Sequence, residues 1–287
     1  MRSASKSLTS LAIGFAIEDG LIDGLDQPIM HYFKDKMPLK NSDSRKLKIT
    51  IKDLLTMSSI LECDDWNSAS RGNEERMYII EDWSQFILDL PVRGFPPWKT
   101  TPDKSKYGRA FSYCTGGVQV LAEIVEKVTK IKMNDYLQDK LFNPLGIKKP
   151  KFSFTPLGHT NGGGGAQLSS RDWIKIGNLI LNDGIIGTNQ IINKSWIKES
   201  LIRRAVADEN RDVDYGYLWW VNNFKVNGKA ITAYAAAGNG GNYLFMIPEL
   251  NASVAITSTA YNTNYMHQQS QKILTDFVLP ELLKSKH

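Results

Sequence analysis

Cysteine is nearly absent from this 287-residue chain, Cys63 and Cys114 being the whole supply. Two cysteines without Cys-x-x-Cys spacing are too few for a disulfide scaffold and say little about redox compartment. Histidine is almost as sparse: His31, His159, His267 and His287 lie far apart, with no HExxH or paired-ligand spacing. A metal site therefore has no support, and lone histidines of this kind usually pack or face solvent. No apolar run reaches the roughly 20 residues that span a bilayer. The apolar stretch from Leu8 to Ile17 lacks the flanks of a signal peptide, which leaves the compartment open between cytoplasm and periplasm. Charge is not gathered into blocks. The 35 Lys and Arg against 30 Asp and Glu leave a net +5 spread along the chain, with no basic patch interleaved with aromatics, so nucleic acid is a poor partner. There is no fixed-period repeat, no low-complexity tract and no Gly-x-Ser-x-Gly elbow, and the glycines at 162 to 165 lack the Lys-Ser/Thr of a phosphate loop.

What is present belongs to a globular enzyme. Hydrophobic residues make up 42% and charged residues 23%, with 11 Tyr, 11 Phe and 7 Trp, enough for one large core and a well-lined pocket. Apolar residues recur at helical spacing from Ser5 to Glu18, and Asp19-Gly20 ends the run. Thr50 is placed to cap a helix from Ile51, and further helical patterns cover Met77 to Leu88, Gly117 to Val128, Met133 to Leu141, Arg171 to Leu181 and Ser195 to Arg203. Beyond about residue 205 the texture becomes β-rich, with runs Tyr215 to Val221, Ala230 to Ala236, Tyr243 to Ile247 and Ala252 to Thr257 separated by turn residues. This predicts an antiparallel meander covered by a last helix from about Met266 to Leu283. The chain reads as one domain over 1–287, with a mainly helical region 1–210 and a strand region 211–287.

Three stretches carry candidate chemistry. Ser3-Ala4-Ser5-Lys6 sets a hydroxyl and an amine three residues apart on one helical face. A lysine amine activates a serine only when burial lowers its affinity for the proton, which an apolar helix start would supply. The spacing alone is permissive, since Ser195-Trp196-Ile197-Lys198 repeats it on an expected solvent face. Tyr113 precedes Cys114-Thr115-Gly116-Gly117 and an amphipathic helix, which would present its phenol over a groove. Gly238-Asn239-Gly240-Gly241-Asn242 leads into a strand whose backbone could approach a ligand and stabilise an oxyanion.

Together and in this order, the three stretches resemble the serine hydrolases related to class C β-lactamases, a group that also holds D-alanyl carboxypeptidases, carboxylesterases and 6-aminohexanoate-dimer hydrolases. The likeness extends to Ile49 through Ser59 and to Gly162 through Trp173, and so runs over nearly the whole chain. It implies an α+β, β-lactamase/transpeptidase-like fold whose amino-terminal strands are missing here, leaving a sheet edge open to pairing with another chain, a second copy included. By resemblance, Ser3 is the acylated nucleophile, Lys6 its base and Tyr113 a base or proton shuttle. Asn239-Gly240-Gly241 falls where relatives carry Lys-Thr-Gly or His-Thr-Gly, and the backbone N–H groups of Ser3 and Asn242 form the oxyanion hole. No cofactor is implied.

Two departures bear on substrate. Thr115 replaces an asparagine that holds the β-lactam amide, and Asn239 replaces a cation that attracts a carboxylate. Both favour a neutral or small ester or amide over penicillins and D-Ala peptides. Trp66, Trp219-Trp220 and Phe95-Pro96-Pro97-Trp98 are placed to line an acyl pocket, with at least one tryptophan given to core packing. Two other readings stand beside the esterase or amidase: a β-lactamase or D-alanyl carboxypeptidase, and a non-catalytic relative that keeps a ligand pocket.

Overall fold

The computed structural model describes residues 1–95, 101–148 and 150–284. Pro96, Pro97, Trp98 and His287, named above, lie outside the described residues. A 3-10 turn over Arg2–Ser5 runs straight into α1, Lys6–Glu18, of which Lys6 through Ala16 are buried. The helix is apolar around nearly its whole circumference because other elements enclose it, as expected of a central helix. Helix α2, Ile51–Leu55, opens behind the expected cap: the Thr50 hydroxyl accepts from Asp53 N, and the Asp53 carboxylate reaches back to Thr50 N. The stretch expected as one helix from Met77 to Leu88 is two, α3 at Glu74–Met77 and α4 at Trp83–Leu88. Asp82 breaks it, turning extended so that its side chain can accept from Gln85 N at 2.9 Å.

Helix α5, Thr115–Thr129, packs against α1, α2 and α4, and α6, Met133–Leu137, continues through a wide π turn at Gln138–Phe142. Two short ladders follow: β1, Lys151–Phe152, with β2, Ala166–Gln167, and β3, Ile185–Ile186, with β4, Asn189–Gln190. Between and after them lie α7, Ser170–Leu181, and α8, Lys194–Leu201. Ser195 and Lys198 face solvent on α8, as the sequence led us to expect.

The antiparallel sheet comprises β5, Ala205–Asp208; β6, Val213–Tyr215; β7, Trp220–Val226; β8, Lys229–Gly238; β9, Asn242–Ile247; and β10, Ala252–Ile256. They pair in strict chain order, a meander with β5 and β10 at its edges. The sheet therefore begins slightly before the boundary read at 210, which falls between β5 and β6. Along β9 every residue is buried because the sheet is covered on both faces. Ala236, Leu244 and Met246 face the main core with α1 and α7, while Ala235, Phe245 and Ile247 face Leu274, Leu279 and Leu283 of the carboxy-terminal helix. That helix is α9, Met266–Lys272, a π turn over Ile273–Val278, and α10, Leu279–Lys284. The wide turn comes directly before Pro280, which has no N–H to continue an α ladder. Helix α7 lies close on the sheet at Gly177, where an added Cβ would stand 2.8 Å from the Ser253 hydroxyl and 3.0 Å from Leu244 Cδ1.

The two cysteines, which spacing alone left unassigned, form a disulfide that closes a loop of 51 residues in sequence. Both are buried, and the bond ties the segment before α3 to the residue that opens α5. A loop of this length should contribute about 4 kcal/mol through the unfolded state. The Cys63→Ala/Cys114→Ala double variant should accordingly show a lower urea midpoint and a raised m-value, since the uncrosslinked unfolded chain exposes more surface, and an unchanged midpoint would show the bond to be energetically idle.

Candidate active site

Ser3 lies in the 3-10 turn and Lys6 at the first residue of α1. In a 3-10 turn residues i and i+3 eclipse, so the two side chains are delivered to one spot. Lys6 Nζ donates to Ser3 Oγ at 2.8 Å and also to the carbonyl of Gly163. Lys6 is 1% exposed, and burial lowers its pKa from 10.5 to about 8, against the opposing pull of Glu74 and Asp65. The amine is thus fixed by two acceptors in a place that disfavours its charge.

Tyr113 ends the loop before α5, with its ring 5.1 Å from Lys6 Nζ, and shares the pocket wall with Ser3. Burial drives its pKa well above the usual tyrosine value. The Gly163 carbonyl is held in place from several sides. Gln119 on α5 donates to Thr160 O at 3.2 Å and accepts from Gly162 N at 3.1 Å, while Thr9 on α1 donates to Gly162 O at 3.0 Å. The glycine-rich segment that the sequence pointed to is the acceptor shelf for the lysine.

Strand β8 closes the other side. Gly238 is its last residue, and a Cβ there would sit 2.2 Å from Met1 O and 3.2 Å from Ser3 N, so only glycine allows the strand to lie against the backbone of residues 1–3. Residues 239 to 241 form the hairpin tip, with Gly240 and Gly241 at φ +88° and +82°. The tip docks on α9, where Gly240 N points at Met266 Sδ and Gly241 O accepts from the Ser270 hydroxyl at 2.7 Å.

These elements enclose a pocket of about 560 Å³ whose wall includes Ser3, Tyr113, Gly238 and Asn239. Gly240, Gly241, Asn242 and Thr115 are not on that wall. The Asn242 side chain turns instead to Asn239 O and Ser258 O, at 2.8 and 3.2 Å. The Thr115 hydroxyl is buried without a hydrogen-bond partner among the described residues. The close approach to Ser3 falls at Gly238, one residue before the Asn239-Gly240-Gly241 stretch, and Asn239 supplies the pocket contact. The register Gly238↔Asn242 marks where strand gives way to turn.

Of the tryptophans, Trp66 and Trp220 line the pocket and stack with Tyr113, at centroid distances of 5.5 and 5.6 Å. Trp219 points the opposite way into the core. Sequence reasoning passed over a set of charged lining residues: Asp65, Glu74, Glu75, Asp208 and Arg211. Arg211 Nε lies 2.6 Å from Asp208 Oδ2. His267 also lines the pocket, bonded through Nδ1 to the Tyr243 hydroxyl at 2.9 Å, and burial lowers its pKa. Among the described residues no group of histidines, cysteines and carboxylates is arranged to hold a metal ion, and no helix is long and apolar enough to cross a membrane.

A helical region and an antiparallel meander meeting at a buried Ser-Lys pair beside a tyrosine define a hydrolase-type pocket of the β-lactamase/transpeptidase-like fold. The sequence profile described as Beta-lactamase matches residues 1–274, and the chain belongs to that family. It is 23% identical over 303 aligned residues to the 6-aminohexanoate-dimer hydrolase of Paenarthrobacter ureafaciens, across 96% of this chain and 70% of that protein. Among solved structures it resembles a Bacillus anthracis protein provisionally described as a 6-aminohexanoate-dimer hydrolase, with TM-score 0.77, 18% identity, and coverage of 99% of this chain and 73% of the other. It also resembles a D-stereospecific amidohydrolase from Streptomyces sp., with TM-score 0.67, 16% identity, and coverage of 97% and 86%. The structural likenesses establish the fold; together with the family they support hydrolase chemistry in general.

If Gly238 matters for its lack of a side chain, Gly238→Ala should displace the Ser3 backbone while leaving the circular dichroism spectrum unchanged. Reactivity of Ser3 toward a fluorophosphonate should fall roughly 100-fold. Full reactivity in the folded variant would show that this close approach is dispensable.

Proposed function

We propose that this chain is a serine hydrolase that cleaves a carboxylic ester or small amide through an acyl-enzyme on Ser3. The observation that carries the reading is the buried Lys6 amine 2.8 Å from Ser3 Oγ, at the edge of a pocket that Ser3 and Tyr113 share. Lys6, with its pKa lowered to about 8, is the group able to take the serine proton near neutral pH. Tyr113, whose pKa burial raises, stays a protonated phenol and acts as a relay.

In the proposed cycle the Ser3 proton moves to neutral Lys6 as the Oγ–C bond forms. The bond to the leaving group then breaks, and the leaving group takes the proton from the Lys6 ammonium through Tyr113. Water then adds to the acyl carbon, giving its proton to Lys6 as the new O–C bond forms, after which the C–Oγ bond breaks and Ser3 Oγ recovers a proton from the Lys6 ammonium. The Ser3 N–H and the backbone of Gly238 and Asn239 form the side of the pocket where the oxyanion would sit, the role the sequence comparison gave to Asn242.

Peptide mapping after fluorophosphonate treatment should find one adduct, on Ser3, and none on the Ser3→Ala variant; an unchanged esterase rate in that variant would refute the assignment. Because Lys6 must be deprotonated to act, the labelling rate should rise through pH about 8 and level above it. A flat profile between pH 6 and 9 would remove Lys6 as the base.

The pocket's charge favours the esterase or amidase reading over a β-lactamase. Asp65, Glu74 and Glu75 line it, and the lining cation Arg211 is already paired with Asp208. A substrate carboxylate enters that field at a cost, and the cost is screened by salt. Of two esters differing only by a carboxylate or a carboxamide, the carboxamide should show a kcat/KM about tenfold higher at low salt, with the gap narrowing in 1 M NaCl. Preference for the carboxylate, or faster hydrolysis of a chromogenic cephalosporin, would reverse this choice.

A further inference from the structure

The loop facing Ser3 across the pocket is built around one carboxylate. Asp65 Oδ2 accepts from Thr115 N at 2.6 Å and Oδ1 from Glu74 N at 2.9 Å, while Asp65 N donates to Tyr113 O at 2.8 Å. The Cys63–Cys114 bond closes the same two segments two residues upstream of Asp65 and one after Tyr113. Ser112 adds a hydroxyl bond to Cys63 O at 2.6 Å. So much fixation of a single acid beside Tyr113 is more than a turn requires.

Neither Asp65 nor Glu74 forms an ion pair within 4.0 Å among the described residues. Glu74 Oε2 accepts from a neutral hydroxyl, that of Tyr78, at 2.9 Å. Both carboxylates act on Lys6, and Lys6 acts back on Asp65. Among the described residues the other titratable side chains on this pocket, besides Tyr113, are Glu75, the Asp208–Arg211 ion pair, Tyr243 and His267. The first turn of α1 holds no acidic residue, Ser3 and Tyr113 are neutral, and the 162–164 shelf and Gly238 present backbone alone.

We infer that Asp65, backed by Glu74, is a positioning residue of this hydrolase: the clamped carboxylate is the counter-charge for the ammonium that forms on Lys6 while Ser3 is acylated. The inference rests on the Ser3 reading and adds what it lacks, since a buried amine that accepts a proton needs an anion nearby to make the charged intermediate accessible. Burial raises the Asp65 pKa to about 6, so the carboxylate is ionised across the range in which Lys6 works.

The test is the pH dependence of fluorophosphonate labelling, mapped to Ser3, in the wild type, Asp65→Asn and Glu74→Gln. Removing either negative charge weakens the hold on the Lys6 proton, so the rising limb should move to lower pH by about half a unit or more. The plateau should drop about tenfold in Asp65→Asn, because the ammonium is then less stabilised. The Glu74 side chain is only partly buried, so its variant reports even where Asp65→Asn fails to fold. A limb that stays within about 0.2 unit of wild type in every folded variant, whatever the plateau, would reduce both acids to loop scaffolding and leave the Ser3 assignment intact. Wild-type protein that labels elsewhere than Ser3, or not at all, would overturn the assignment and this inference together.

Discussion

Everything around the pocket depends on keeping one lysine dry. Lowering the Lys6 pKa from 10.5 to about 8 corresponds to about 3 kcal/mol set against its protonated form. The sign follows from linkage: the folded chain disfavours the ammonium, so the penalty is full below about pH 8 and disappears as the pH rises toward 10.5. At neutral pH the fold carries that load, and the surroundings of α1 explain how it can. Helix α1 is buried along nearly its whole length, α5 and the meander enclose it, and the lysine amine finds Gly163 O and Ser3 Oγ where water would otherwise be. A burial penalty of this size is tolerable in a large core and would be heavy in a small one.

The same dryness separates the roles of Lys6 and Tyr113. Desolvation penalises whichever form of a group is charged, so it pushes a lysine down and a tyrosine up. The two groups share one environment and move in opposite directions, the amine toward its neutral form and the phenol toward staying protonated. The disulfide and the Asp65 clamp serve that arrangement mechanically. They fix Tyr113 at the threshold of α5, where a one-residue slip would turn its ring from the pocket into the core.

How much of this was legible in the sequence depends on the range of the interactions involved. Local signals were mostly reliable: the Thr50 cap, the α1 and α7 periodicities and the last three strands emerged where turn chemistry and hydrophobic spacing placed them, whereas the run Tyr215 to Val221 holds the turn between β6 and β7, with Leu218 at positive φ. Asp82, a cap inside what spacing treats as one helix, split it into two because a side chain competing for backbone N–H groups has no periodic signature. The disulfide was invisible for a different reason, since 51 residues separate its ends and nothing local brings Cys63 to Cys114. Ser3, Lys6 and Tyr113 were chosen by motif order, and the structure brings them together. The charged wall was missed because Asp65 and Glu74, near the start of α3, and Asp208 and Arg211, at and just past the end of β5, lie far apart in sequence and read one at a time as ordinary surface residues.

That missed wall bears most on substrate. The chain as a whole carries +5, yet the residues around its pocket are mainly acidic. Bulk charge therefore gives the wrong sign for the field a substrate meets, because a low-dielectric cleft is governed by the groups that line it and distant lysines are screened by water and salt. Asn239, which lines the same cavity, adds no charge to offset that wall. A fold shared with penicillin-binding proteins thus places a dry lysine beside Ser3, and the charges of the surrounding loops set the field over that pair.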